Sequence, residues 1–235
     1  LWGVDADRTI SRVARMNMFL HGDGSNRIFW LPDSLDKDVL IESGINKELK
    51  EDAEEFKKLT EKKEIFDVVL TNPPFSMRYE FSKEDERRVL EEYEIAYSFG
   101  KDNSKKMKSA LKSNVLSLER YRDLLKPHGK LITVIDESVL NASSEKGYRD
   151  FIRENFIIKA IISLPRNTFV NQEAGVKTSI LYLMKKAKKD EKQPKIFMAI
   201  SDNIGHTDSG KSCPEKNDLP QILDSFRRFE NGENI

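Results

Sequence analysis

Residues 65–75 read Ile65-Phe66-Asp67-Val68-Val69-Leu70-Thr71-Asn72-Pro73-Pro74-Phe75. The first seven lack the alternation of a half-solvated strand, which predicts a strand over 65–71 buried on both faces. Two consecutive prolines then end it. Proline fixes φ and carries no N–H, so the loop presents carbonyl oxygens without competing donors. The Asn72 side-chain oxygen and the Pro73 carbonyl can both accept from one primary amine. An amine held this way is drawn out of conjugation, and its lone pair is freed for attack on an electrophile such as a sulfonium-borne methyl group. Phe75 can stack on the plane of a base, a contact worth about 1–3 kcal/mol. A rigid loop leaving the sheet would use the same prolines. Asn-Pro is a common turn opener, but Asn-Pro-Pro-aromatic directly after a buried strand is far rarer.

Outward from this segment, strand and helix signals alternate. Residues 1–5, 27–31, 130–135, 157–163, 178–184 and 195–200 read as strands. Asp7 can cap a helix running to Leu20, with Ile10, Val13, Ala14 and Asn17 on one face and Gly22 as its stop. Further helices are predicted over 46–63, 83–98, 145–154 and 218–229. Another is opened by Ser113 or Asn114, with Val115, Leu118, Arg122 and Leu125 at helical spacing, and ended by Pro127-His128-Gly129. Such alternation implies an α/β fold with a mostly parallel sheet and right-handed crossovers.

Ligands bind such sheets beyond the carboxyl ends of the strands. After the first strand stands Asp5, whose carboxylate can accept both hydroxyls of a ribose or simply serve the following helix; Asp7 reads as the helix cap. After the second stands Asp33, able to accept from an exocyclic amine, though an Asp after proline is also a common turn former. Phe169, after the strand at 157–163, is either an aromatic at the rim, able to stack on an everted base, or a packing residue. Lys105, Lys106, Lys108 and Lys112 could contact phosphate, but the dense acids upstream favour a solvated helix face.

Composition narrows the rest. Lys+Arg and Asp+Glu both number 40, so no global field draws the chain to nucleic acid, and DNA binding would need a local patch or a partner. The lone Cys213 and the scattered His21, His128 and His206 offer no metal-ligand spacing. No apolar run approaches the ~20 residues of a membrane span, and the chain reads as cytoplasmic.

With these residues in place, the chain resembles the amino-methyltransferases, and more narrowly the modification (methyltransferase) subunits of type I restriction–modification systems. The phrase Ala14-Arg15-Met16-Asn17-Met18-Phe19-Leu20-His21-Gly22 is similar to that family's stretch after its ribose-binding acid. Asp33-Ser34-Leu35 resembles its next motif. Leu164-Pro165 through Phe169, Ala174-Gly175-Val176 and Thr178-Ser179-Ile180-Leu181 resemble its closing strand region. The resemblance implies a Rossmann-like α/β sheet with flanking helices, S-adenosyl-L-methionine as cofactor, and a flipped adenine in DNA as substrate for N6 methylation. It assigns Asp5 to the cofactor ribose, and Asp33, with Ser34 beside it, to the cofactor adenine. It assigns Asn72 and Pro73 of the catalytic Asn72-Pro73-Pro74-Phe75 to the target amine, and Phe75 and Phe169 to stacking on the target base. Its implied partners are a specificity subunit that reads DNA and a restriction subunit.

The family's glycine-rich loop, Phe-x-Gly-x-Gly, belongs ahead of Asp5, where this sequence has four residues; Gly22-Asp23-Gly24 follows a helix and does not replace it. The expectation is therefore a partial catalytic domain over 1–200, lacking its first strand and that loop, followed by a C-terminal helical extension over 201–235. Such a piece is expected to bind S-adenosylmethionine weakly or not at all, to be inactive alone, and to expose a sheet edge. Competing readings are a methyltransferase for RNA or protein glutamine, and a non-catalytic scaffold.

Overall fold

The stretch at 65–71 forms a strand as expected, and the other predicted strands and helices are present, joined by short elements that the sequence did not announce, four strands between 78 and 112 and a helix at 138–141, in a computed structural model that describes residues 1–24, 27–39, 46–75, 77–99, 104–169, 176–207 and 209–233. In chain order the elements are β1 (Gly3–Asp5), α1 (Arg8–Leu20), β2 (Ile28–Trp30), α2 (Lys47–Thr60), β3 (Phe66–Thr71), β4 (Arg78–Glu80), α3 (Glu84–Glu91), β5 (Tyr97–Phe99), β6 (Lys105–Met107) and β7 (Ala110–Lys112). There follow α4 (Ser113–Leu124), β8 (Leu125–Asp136), α5 (Ser138–Asn141), α6 (Lys146–Asn155), β9 (Phe156–Ser163), β10 (Thr178–Lys185), β11 (Phe197–Ile200) and α7 (Leu219–Glu230). They divide into two units, Leu1–Ile65 with Tyr79–Leu111, and Phe66–Arg78 with Lys112–Ile235.

In the first unit β1 and β2 run parallel, with Asp5 opposite Trp30. Asp7 caps α1 by accepting from the Thr9 and Ile10 amides at 2.7 and 2.9 Å. Gly22, at φ 82°, ends it in the left-handed conformation that glycine adopts without strain. Leu49, Ala53 and Phe56, spaced along one face of α2, are buried, and Ala53 and Phe56 join Phe29 and Leu31 in one apolar cluster. Helix α1 is tied to α2 by charge: Arg8 and Arg12 pair with Glu48, and Arg15 pairs with both Glu48 and Asp52. Ile10 and Val13, which the helical spacing places on one face, are both exposed. The helix predicted over 83–98 is shorter, because the β-prone Tyr97-Ser98-Phe99 pairs with β6 as an antiparallel ribbon.

The second unit is built on a five-stranded sheet in the order β11-β9-β10-β8-β3. Strands β3 and β8 are parallel, as are β9 and β11, but β10 lies antiparallel between β8 and β9. The sheet is thus mixed rather than mostly parallel. A parallel connection needs a crossover, usually a helix; between β9 and β10 the described residues hold only a short 3-10 turn, Arg166–Phe169. Leu125, Leu131, Ile135, Phe156, Leu181 and Leu183 are fully buried in this sheet. Phe226 and Phe229 of α7 pack on Phe197, with Phe226 also meeting Tyr182.

Strand β3 departs from expectation. It stands at the end of the sheet, and Leu70 is 78% exposed and Val68 54%. Its apolar run is real, but no described helix covers the face that carries these two side chains. Where β3 meets β8 the register shifts between Phe66 and Val68. Gly129 makes that approach possible, because a Cβ there would lie 2.8 Å from the Lys126 carbonyl oxygen and 3.2 Å from that of Phe66.

Candidate functional site

The candidate residues fall into two groups, one in each unit. In the second unit, β3 delivers Asn72-Pro73-Pro74-Phe75 at its carboxyl end, with Thr71 still paired to Thr133 of β8. Asn72 is exposed and Pro73 buried. The three acceptors of this loop have different fates. The Pro74 carbonyl accepts from the Ser113 hydroxyl at 2.8 Å. The Asn72 side chain and the Pro73 carbonyl have no hydrogen-bond partner among the described residues.

Phe75 meets Phe169 edge-on, with ring centroids 5.6 Å apart and planes at 61°. The two rings placed at the target base by resemblance are therefore neighbours, in direct contact with each other. Phe169 ends the 3-10 turn Arg166–Phe169, in which the Thr168 hydroxyl donates to the Pro165 carbonyl at 2.7 Å. Ala174 and Gly175 lie outside the described residues.

Behind the loop stands α4, whose residues Ser113 to Arg120 are all buried. The sequence offers Ser113 or Asn114 as its cap, but the cap position is Lys112, with no side-chain cap bond. Asn114 turns the other way: its amide donates to Asp136 at 2.8 Å. Lys112 donates to both Asp136 oxygens at 3.3 Å and to the Ser138 hydroxyl at 2.9 Å, and Ser138 also bonds Asp136. Burial pushes the Asp136 carboxyl up, but the bonds from Ser138 and Asn114 and the charge of Lys112 outweigh it and hold the group below the usual carboxylate range. At the loop's other end, the Thr71 hydroxyl bonds that of Tyr121 at 2.8 Å. Burial raises the Tyr121 phenol, so it stays protonated.

In the first unit, Asp5 and Asp33 lie at the carboxyl ends of the adjacent strands β1 and β2. One Asp5 oxygen accepts from the Asp7 amide at 2.8 Å. Asp33 makes the turn its position after proline suggests, accepting from the Leu35 amide at 2.8 Å, and its second oxygen accepts from the Tyr79 hydroxyl at 2.7 Å. Ser34 is exposed. Burial, reinforced by the Asp33 charge, pushes the Tyr79 phenol far up and keeps it a donor. These carboxylates suit S-adenosylmethionine by donor chemistry: ribose hydroxyls and an adenine amine donate, and carboxylate oxygens with lone pairs to spare accept.

Tyr79, Ser113, Tyr121 and Asp136 were not singled out by function from sequence, since none belongs to a recognisable spacing. The lysines expected on a helix face do not share one. Lys105 and Lys106 lie on β6, with the Lys105 ammonium 3.7 Å from the Tyr97 ring centroid, and Lys112 ends β7 on Asp136. Among the described residues, no group of three or more His, Cys, Asp or Glu could hold a metal ion, and no helix is long and apolar enough to cross a membrane.

Solved structures share this fold. A modification subunit of a putative type I restriction enzyme from Vibrio vulnificus superposes with a TM-score of 0.64 at 17% identity, covering 98% of this chain and 40% of that one. The methyltransferase subunit of a type I restriction–modification system from Streptococcus thermophilus gives 0.60 at 20% identity, covering 100% and 42%. A putative class I S-adenosylmethionine-dependent methyltransferase from Listeria monocytogenes gives 0.60 at 20% identity, covering 97% and 54%. The chain thus spans about half or less of the length of these relatives and shares the S-adenosylmethionine-dependent methyltransferase fold. The family model for N-6 DNA methylase matches residues 1–235. The chain belongs to the N-6 DNA methylase family.

Proposed function

We propose that this chain carries the amine pocket and part of the cofactor site of an adenine-N6 DNA methyltransferase, within the modification subunit of a type I restriction–modification system. The observation that supports the reading is the division of acceptors after β3: the Pro74 carbonyl is engaged by Ser113, while the Asn72 side chain and the Pro73 carbonyl have no partner among the described residues. The target amine of an everted adenine donates one hydrogen to the Asn72 side-chain oxygen and the other to the Pro73 carbonyl. When bound, S-adenosylmethionine supplies an electrophilic methyl group. Asn72 and Pro73 would hold the amine by its two hydrogens and leave its lone pair unshared. Transfer would break the bond between the methyl group and sulfur, leaving its electron pair on sulfur, as the nitrogen takes up the methyl; Asn72 and Pro73 would stabilise the positive charge on that nitrogen more than they stabilise the neutral amine. The surplus proton then passes to solvent. Asp5 holds the cofactor ribose, and Asp33, oriented by Tyr79, its adenine amine; Ser34 lines that end. Phe75 and Phe169 separate to admit the base and stack on it. Neutral net charge fits delegation of sequence reading to a specificity subunit, with a restriction subunit completing the assembly.

The test uses the full-length protein with its partner subunits and labelled methyl transfer into duplex DNA. Asn72→Ala is expected to lower kcat by about 10²–10³-fold with folding intact. Wild-type transfer to ribosomal RNA or to protein glutamine in place of DNA would overturn the substrate, and an Asn72→Ala protein as active as wild type would overturn the pocket. A scaffold would show assembly with no transfer at all.

A further inference from the structure

We propose that α4 is a positioning helix for the amine pocket, with Ser113 as the residue that sets the loop and Tyr121 as its second anchor. The proposal rests on the reading above and adds residues that the loop motif does not contain. A loop of two prolines lacks two backbone N–H groups and so cannot brace itself with its own donors at those positions. The donors come from α4. The Ser113 hydroxyl donates to the Pro74 carbonyl at 2.8 Å, and the Ser113 amide donates to the Met77 carbonyl at 2.9 Å. The Tyr121 hydroxyl meets the Thr71 hydroxyl at 2.8 Å. Thr71, Pro74 and Met77 bracket both Asn72-Pro73 and Phe75, so the pocket is fixed on each side by one rigid element.

The geometry is self-consistent. The eight helical steps from Ser113 to Tyr121 rise about 12 Å, and the three extended steps from Thr71 to Pro74 span about 10 Å. The helix and the loop therefore run side by side in opposite chain directions. Ser113 is 2% exposed and does not cap its own helix. A buried hydroxyl is costly unless paired, and its described acceptor is the loop. The two residues flanking Ser113 pin the start of α4 to the sheet, because Lys112 and Asn114 both reach Asp136 at the carboxyl end of β8. Asp136 thereby holds the helix that holds the loop.

The experiment compares Ser113→Ala, Ser113→Thr, Tyr121→Phe and Asn72→Ala in the full-length protein with its partners. Two readouts are taken: steady-state methyl transfer to DNA, and hydrogen exchange of the peptide spanning 71–77. Ser113→Ala is expected to lower kcat about ten- to a hundredfold, since small misplacement of reacting groups is costly, while KM for DNA and cofactor moves less than about threefold. Exchange in 71–77 should quicken while β8 and β10 stay protected. Ser113→Thr, which keeps the hydroxyl, should recover most of the rate, and Tyr121→Phe should show a smaller loss of the same kind. Wild-type kcat and exchange in Ser113→Ala, or equal losses in Ser113→Ala and Ser113→Thr, overturn the proposal while the pocket reading stands. Unchanged activity in Asn72→Ala overturns the pocket reading instead, and the exchange result then decides the positioning by itself. Should Ser113→Ala fail to fold, Tyr121→Phe carries the same test, and wild-type rate and exchange there overturn the proposal.

Discussion

Asp136 shows what one buried residue does here. It is 4% exposed, and a carboxylate so placed persists only when its oxygens are occupied by donors or opposite charge. Asn114, Ser138 and Lys112 supply them. Because its folded value is depressed, its contribution to stability is complete above the unfolded value of about pH 3.9 and is lost as pH falls through the folded value. Asp136→Asn should therefore cost about 1–3 kcal/mol near neutrality and flatten the acid limb of the stability curve below about pH 4. Urea titrations at stepped pH measure both; an acid limb unchanged from wild type would remove Asp136 from the account. Asn72 teaches a different lesson. Its pairing with the Pro73 carbonyl as adjacent acceptors was legible because the two sit next to each other in sequence, whereas Ser113, some forty positions away, can be paired with Pro74 only by the fold.

At the scale of elements, helix boundaries were readable where local chemistry sets them. Asp7 and Gly22 delimit α1 because a cap and a left-handed stop act within a few residues. Which face of α1 is covered was not readable. Periodicity says that Ile10 and Val13 share a side; it does not say that anything lies against it. What attaches α1 to its unit is the Arg8, Arg12 and Arg15 cluster on Glu48 and Asp52. Hydrogen bonds from Arg12 and then Arg8 hold the Glu48 carboxyl at about 2. This ion cluster is intact above the unfolded glutamate value of about 4.3 and comes apart as pH falls toward 2. Glu48→Gln should loosen α1 at neutral pH, seen as faster hydrogen exchange in 8–20 than in 47–60. Equal protection in variant and wild type would mean that the arginines are surface decoration.

At the scale of the whole chain, the apolar surface left uncovered is large. Phe19 and Leu20 of α1 are 72% and 80% exposed, and Leu70 of β3 is 78% exposed at the end of the sheet. Exposed apolar side chains and an unpaired strand edge favour association. The 235-residue chain should self-associate with rising concentration, and Leu70→Lys or Phe19→Lys should each reduce it. Sedimentation velocity decides: a wild-type chain that stays monomeric up to its solubility limit would show these surfaces to be harmless.

By itself the sequence determined the alternation of strands and helices, the Asp7 cap and Gly22 stop of α1, and the placing of Asn72-Pro73-Pro74-Phe75 directly after β3. Each depends on residues within one turn of helix or one strand of each other, where local sterics and hydrogen bonding dominate. Tertiary structure alone decided that β10 enters the sheet antiparallel, that β3 stands at an edge, and that α4 braces the loop through Ser113 and Tyr121. Those outcomes depend on which distant segments pack together, and burial energy summed over many contacts leaves no signature at any single position.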